Sequence, residues 1–181
     1  VVYTLAELEG DQGWGRRDDT FATNDELGRF GLNNTFALGD KDLALKIYRS
    51  ERMRRGDPLS AVTRSILGFF EIDSLVLPAT DDRLRTEIGI DNSEWLSFQN
   101  YFVDRGHQDE VRALRFAGAN ESAPAPGVMD AINEADAIVI GPSNPPLSIW
   151  PILAVPGIRE SVAAHPYVIA VSPLFGGRAL K

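Results

Sequence analysis

The chain has 181 residues, enough for a domain with a sizeable core, and its 44% hydrophobic and 24% charged residues place it among ordinary globular proteins. A formal charge of -8 argues against binding nucleic acid through its phosphates, and no apolar run reaches the length of a membrane span. The absence of cysteine excludes disulfides and thiolate metal sites, no basic start followed by an apolar segment marks a signal peptide, and the cytoplasm is the compartment expected.

Residues 1–9 read as the tail of a helix closed by Gly10, followed by a loop rich in Gly, Asp and Arg up to Phe21. Thr23 and Glu26 stand at capping-box spacing for a short helix that Gly31 can stop. Asp40 is expected to cap a longer helix with Leu43, Ile47 and Met53 on its apolar side and Arg49, Arg52, Arg54 and Arg55 facing out. Ser60 is expected to cap the next, on which Val62, Ile66, Leu67 and Phe70 are apolar.

The pattern changes at Ser74. Leu75-Val76-Leu77-Pro78 reads as a short strand. Residues 84–90 and 95–103 alternate around Asp91-Asn92-Ser93-Glu94 and predict an antiparallel hairpin, with Trp95, Ser97, Gln99 and Tyr101 on one face. Another strand is predicted over 111–117, and a helix over 128–135 after the Pro-rich connection at 123–127. Ile138-Val139-Ile140 then ends abruptly in Gly141-Pro142-Ser143-Asn144-Pro145, the pattern of a fully buried parallel strand with a polar loop at its carboxyl end. Pro156-Gly157 opens a helical pattern, and residues 167–173 repeat the strand and polar loop. Together they predict a βαβ unit with both loops on one rim, the edge where ligands bind in open α/β sheets.

Val1 enters in the middle of an apolar pattern, and Lys181 comes just after a strand where an α/β chain should enter another helix. The sequence is therefore expected to be an internal piece, incomplete at both ends. No internal domain boundary is visible: 1–181 reads as a single α/β domain, with a helical insertion over 11–73, a strand and hairpin layer over 74–117, and the βαβ part over 128–181.

Four places carry chemistry. Ser143 and Asn144 offer a hydroxyl, an amide and backbone N–H groups after a strand, suited to a diphosphate or a base edge; equally, Asn suits a turn and Ser caps the next helix. Asp40, Lys41 and Asp42 follow Gly39 and can position an alcohol or bind an anion, although charges at a helix start are commonplace. Trp14, between Gly13 and Gly15, can stack on a flat heterocycle or plug its own loop, and Asp18 and Asp19 nearby read as metal-linked or as solvated turn residues. Thr80, Asp81 and Asp82 follow the Leu75 segment; adjacent carboxylates diverge on an extended chain, which leaves Asp81 the better candidate and a structural turn the alternative. His107 and His165 lack nucleophile partners and metal-ligand spacing and are expected at the surface, and Gly176-Gly177-Arg178 reads as a turn or a phosphate approach.

Gly141-Pro142-Ser143-Asn144-Pro145, Ala154-Val155-Pro156-Gly157-Ile158-Arg159 and Val171-Ser172-Pro173 resemble the 2-phospho-L-lactate transferase family of coenzyme F-420 biosynthesis. Gly13-Trp14-Gly15, Asp18-Asp19-Thr20-Phe21, Leu38-Gly39-Asp40-Lys41-Asp42, Leu77-Pro78-Ala79-Thr80-Asp81-Asp82 and Phe98-Gln99-Asn100-Tyr101-Phe102-Val103 extend the resemblance in collinear order. It implies a Rossmann-like parallel sheet with helices on both faces and a small helical and hairpin subdomain. The activity it implies is transfer of a phospholactyl or phosphoenolpyruvyl group from a guanosine diphosphate-linked donor to the deazaflavin Fo. Gly141, Ser143 and Asn144 would bind the donor; Trp14, Asp40, Lys41 and Asp81 would bind the acceptor; no catalytic residue is assigned. Magnesium is the implied cofactor, with its ligands in an acidic segment that stands before Val1 in the family pattern, so the piece alone is expected to be inactive. Partners would be the two small molecules, with neither nucleic acid nor membrane, and a homodimer is compatible. The rival reading is a nucleotide-binding regulatory protein like the gluconeogenesis factors, against which the Gly13-Trp14-Gly15 and Gly39-Asp40-Lys41-Asp42 blocks weigh.

Overall fold

A computed structural model of the chain describes residues 1–11, 15–32, 37–90, 94–106, 108–175 and 178–179. Two compact units divide it, Val1–Val76 and Leu77–Lys181. Among the described residues the architecture is mixed α/β, with small sheets rather than one large one.

The first unit is helical. Helix α1 spans Val2–Leu5, α2 Ala22–Arg29, α3 Asp40–Arg54 and α4 Leu59–Phe69. α4 buries Val62, Ile66 and Leu67, the face its spacing predicts, and it packs against α3. α3 departs from expectation: it has no buried residue, and Ile47 and Met53 are exposed. Its shape is held by polar pairs instead, with Lys46 on Asp42, Arg54 and Arg55 on Glu51, and Arg52 on Asp57 and the Tyr48 hydroxyl. Gly31, at φ +81, stops the chain after α2 as predicted. The capping assignments change. α4 starts at Leu59, so Ser60 lies inside it, and Thr23 lies inside α2 rather than before it.

In the second unit β1 (Arg85–Gly89) pairs antiparallel with β2 (Trp95–Ser97) and with β3 (Ala113–Ala117), in the order β2-β1-β3. Register places Ile88 opposite Leu96 and Leu114. The predicted hairpin forms, but its second arm stops early. The Ser97 hydroxyl accepts from the Asn100 N–H at 3.1 Å, and the cap turns the chain into a π-helical turn over Asn100–Asp104. Phe98 and Phe102, four residues apart, stack at 5.5 Å, a helical contact that alternation cannot make. Gln99 therefore does not share a strand face with Trp95. The hairpin turn at Asp91, Asn92 and Ser93, like His107, lies outside the described residues.

The predicted strand at Leu75–Pro78 does not form. Leu77 instead drops its side chain onto the core of the unit, and the only ladder-like contact nearby among the described residues is the bridge between Thr80 and Pro124. That core is Ala125, Val128, Val155 and Ile158, carried by the first residues of α5 (Val128–Asn133) and α7 (Ile158–Ala164) and by the turns that lead into them. Val155 and Ile158 are 0% and 1% exposed, and each contributes about 1.5–3 kcal/mol by leaving water. Gly157 joins them at φ +87, a left-handed conformation that costs a side-chain-bearing residue but not glycine.

β4 (Ile138–Ile140) and β5 (Val168–Ala170) pair in parallel, with Ile138 opposite Val168 and Ile140 opposite Ala170. Their carboxyl ends, and the loops at Gly141 and Ser172, share one rim. A helix that the sequence pattern does not announce fills the crossover before α7: a π-helical turn over Pro145–Ile149 runs into α6, Trp150–Leu153. β4 is not buried as predicted. Val139 and Ile169 are 65% and 59% exposed, because a two-stranded sheet has no second layer over them among the described residues. Beyond β5, β6 (Leu174–Phe175) and β7 (Arg178–Ala179) form a small antiparallel pair; Gly176, Gly177 and Lys181 lie outside the described residues.

Candidate functional site

The Asp18-Asp19-Thr20 and Gly39-Asp40-Lys41-Asp42 blocks meet in the first unit. Asp19 accepts from the Lys41 N–H at 2.8 Å and the Asp42 N–H at 3.1 Å, so it caps α3 from a distant loop. Asp40 accepts from the Ala22 N–H at 3.1 Å, the Thr23 N–H at 2.9 Å and the Thr20 hydroxyl, so it caps α2. Each aspartate closes the helix that belongs to the other's segment. The Asp40 N–H donates to the Thr20 carbonyl at 2.7 Å, and Lys41 Nζ to the Asp18 carbonyl at 2.6 Å. Gly39 is required by contact: a Cβ there would lie 2.2 Å from Asp19 Oδ2.

Hydrogen bonds from Thr20, first, and Thr23 hold the Asp40 carboxyl down at about 2, well below its ordinary 3.8. Asp40 is thus an anion at every physiological pH, with its oxygens already engaged. Spacing alone assigns it the cap of its own helix; the fold assigns it the neighbour's.

A cleft of about 470 Å³ opens beside this knot, lined among others by Tyr3, Arg16, Arg17, Asp19, Gly39 and Asp42. The Tyr3 hydroxyl donates to Asp42 Oδ1 at 2.8 Å, and Lys46 lies 3.3 Å from Oδ2. Burial, then the Asp42 bond, pushes the Tyr3 phenol above its ordinary range, so it stays a donor. Lys41 lines a second, more apolar groove of about 370 Å³ with Arg16, Leu45, Tyr48, Ile66 and Phe69. Asp40 is not among the residues lining either cavity. Tyr3 and Arg16 carry no motif signal as site residues, because only the fold brings α1 and the Arg16 loop to α3. Trp14 lies outside the described residues.

In the second unit, Gly141, Ser143 and Asn144 are exposed on the rim of the β4–β5 pair. Asn144, not Ser143, caps the following helix: its Oδ1 accepts from the Leu147 N–H at 3.3 Å, at φ -63 rather than in a left-handed turn. The expected free N–H groups at this helix start are absent. Pro145 and Pro146 have none, and those of Leu147 and Ser148 both bond to Asn144. The polar groups left for a ligand include the Asn144 amide NH2 and the Ser143 hydroxyl. At Gly141 a Cβ would meet open space, so packing does not require glycine there.

Asp82 ties the Thr80 turn to the Pro-rich connection, accepting from the Ala123 N–H at 2.9 Å, while its own N–H donates to the Thr80 hydroxyl at 3.0 Å. Asp81 is half-buried in the same turn. His165 is not a bare surface residue. Its Nε2 bonds the Ala135 carbonyl at 2.8 Å and its Nδ1 accepts from the Tyr167 N–H at 3.1 Å, pinning the end of α7 to the approach to β4. No three His, Asp or Glu side chains among the described residues converge to hold a metal ion, so these residues do not fit magnesium by themselves. No helix among the described residues is long and apolar enough to cross a membrane.

The sequence profile of the family described as 2-phospho-L-lactate transferase CofD matches residues 1–180. The chain belongs to this family. A phosphoenolpyruvate transferase of Streptomyces griseus is 42% identical over 187 residues, covering 100% of this chain and 59% of that protein. A 2-phospho-L-lactate transferase of Methanopyrus kandleri is 41% identical over 178 residues, covering 97% of this chain and 57% of that protein. The chain thus spans somewhat over half the length of these curated relatives. Among solved structures, protein BH3568 of Bacillus halodurans superposes with a TM-score of 0.59 at 18% identity, over 93% of this chain and 50% of that one. That likeness speaks for the fold alone.

Proposed function

We propose that the protein carrying this chain transfers a phospholactyl or phosphoenolpyruvyl group from a guanosine diphosphate-linked donor to the deazaflavin Fo. The observation that carries the reading is the family match over residues 1–180, joined by identities near 40% to transferases of both donor types. The two identities, 42% and 41%, do not separate the two three-carbon acids.

In the reaction the primary alcohol of Fo attacks the phosphorus that bears the three-carbon acid. The bond from that phosphorus to the bridging oxygen breaks, guanosine monophosphate leaves, and the alcohol proton is lost. A phosphodiester results. Magnesium, when bound, supplies charge neutralisation on the diphosphate; the described residues do not form its site.

Asn144 and Ser143 would hold the donor with their amide and hydroxyl, and Gly141 would let it approach the backbone. Trp14, Lys41 and Asp81 would serve the acceptor. Asp40, with its oxygens filled, would act by holding Lys41 in place. The β4–β5 pair would be part of a larger Rossmann-like sheet, a reading supported by its parallel register and its exposed Val139 and Ile169. A cytoplasmic location follows from small soluble substrates of this kind.

Incubation of folded protein with the guanosine-linked donor, Fo and magnesium tests the reading. The expected result is a phosphodiester of Fo by mass spectrometry with release of guanosine monophosphate. Neither product forming, from either donor type, rejects it.

A further inference from the structure

A groove separate from the cleft at the aspartate knot opens between α3 and α4. Among the described residues its lining includes two cations, Arg16 and Lys41, and no carboxylate, in a chain whose formal charge is -8. The Arg16 guanidinium lies over the Phe70 ring, 5.3 Å from its centroid, and has no hydrogen bond or ion pair among the described residues. The ring seats one face of the guanidinium and leaves its N–H edges for a ligand. The main chain there is fixed: Arg16 bridges to Glu9, and the Arg17 N–H donates to the Leu8 carbonyl at 2.7 Å. Lys41 gives one bond to the Asp18 carbonyl and keeps two further donors. Below the cations, Leu45 and Ile66 make an apolar floor, and Phe69 stands 75% exposed at its edge. The Tyr48 and Ser65 hydroxyls bond each other at 2.8 Å on the same wall. At about 370 Å³ the groove has the size of small-molecule sites.

We propose that this groove binds a planar aromatic anion, its ring over Leu45, Ile66 and Phe69 and its anionic group against Arg16 and Lys41. The aspartates near these cations line the neighbouring cleft, so within the groove two cations face no carboxylate and select negative charge, and the exposed phenyl beside an aliphatic floor selects a flat apolar body. This extends the acceptor reading above and rests on it in one respect: the reaction product, a deazaflavin bearing a phosphodiester, belongs to this chemical class.

Titration with flavin mononucleotide and with riboflavin, the same ring without the phosphate, tests the proposal by flavin fluorescence. The mononucleotide is expected to bind about ten- to a hundredfold more tightly, the scale of hydrogen bonds to a charged group. Arg16→Gln and Lys41→Gln are each expected to remove most of that preference, Arg16→Lys to keep part of it, and Phe69→Ala to weaken both flavins. Equal affinities, no binding of either flavin, or a preference unchanged in Arg16→Gln with wild-type circular dichroism would overturn it. Flavin mononucleotide is not a substrate of the proposed reaction. Transfer without flavin binding strikes this site alone, and flavin binding without transfer strikes the proposed function alone.

Discussion

The knot formed by Asp19, Gly39 and Asp40 is open to a direct energetic test. Asp19→Ala removes a carboxylate from two N–H groups at the start of α3, those of Lys41 and Asp42. Loss of a capping aspartate costs about 0.5–2 kcal/mol, and loss of a negative charge at a helix N-terminus about 0.3–1 kcal/mol more. A loss of about 2 kcal/mol is expected, or about 4–8 °C in Tm at this chain length. Gly39→Ala should cost a similar amount for a reason that lies wholly in Asp19. At φ -66 and ψ 153 the backbone of Gly39 suits any residue, and alanine in such a place is ordinarily neutral or helpful. Its Cβ, however, would stand 2.2 Å from Asp19 Oδ2, so the carboxylate must leave its partners. Once Asp19 is alanine the carboxylate is gone, and only the Cβ of residue 19, 2.9 Å from the added carbon, is left to give way by a small shift. The double variant is therefore expected to be about as stable as Asp19→Ala alone, with a coupling of at least about 1 kcal/mol. Urea unfolding of the four proteins by circular dichroism at pH 7 measures it. Costs that add to within about 0.5 kcal/mol would show that Asp19 and Gly39 do not act as one unit.

Asp40, held at about 2 from an ordinary 3.8, supports folding above pH 3.8, and that support is lost as the pH falls towards 2. Asp40→Asn should flatten this acid limb in a series of urea midpoints, and a limb identical to wild type would mean that another carboxyl sets it. Asn144→Asp keeps the oxygen that accepts from Leu147 but replaces the amide NH2 with negative charge. It should leave the melting temperature nearly unchanged and weaken guanosine diphosphate binding by at least about 1.5 kcal/mol in calorimetry; unaltered affinity would leave Asn144 a helix cap only. Ile158→Ala, at a site 1% exposed, should destabilise the second unit by about 2–5 kcal/mol in denaturant, and a cost below about 1 kcal/mol would place the core elsewhere.

The local signals that could be read from the chain were those with short range. Alternation around Ile88 announced β1, the spacing of Val62, Ile66 and Leu67 announced α4, and the β-branched run before Gly141 announced β4. The pattern gives way where a short polar contact outweighs it. Alternation continued past Ser97, but one hydroxyl bond to the Asn100 N–H bent the chain into a helical turn. The pattern over Pro145 and Pro146 predicts a loop, and they begin a helical turn instead, because proline is also a favoured first-turn residue. Leu75 to Pro78 had strand character and found no partner strand among the described residues, so Leu77 went to the core instead.

Charge, the lack of cysteine, the main helices and the order of the motif blocks were all determined by the sequence itself, since each depends on residue identity and spacing of a few positions. What the motif residues do was decided by tertiary contacts. Asp19 and Asp40 lie in separate segments, and each looks like an ordinary cap for the stretch of chain after it. Only when the chain folds back do their carboxylates exchange helices, because an unfilled N–H accepts the nearest anion in space whatever its place in the sequence. The same return of the chain brings Arg16 to Lys41 across the α3–α4 groove, two cations whose shared wall no spacing rule could have announced.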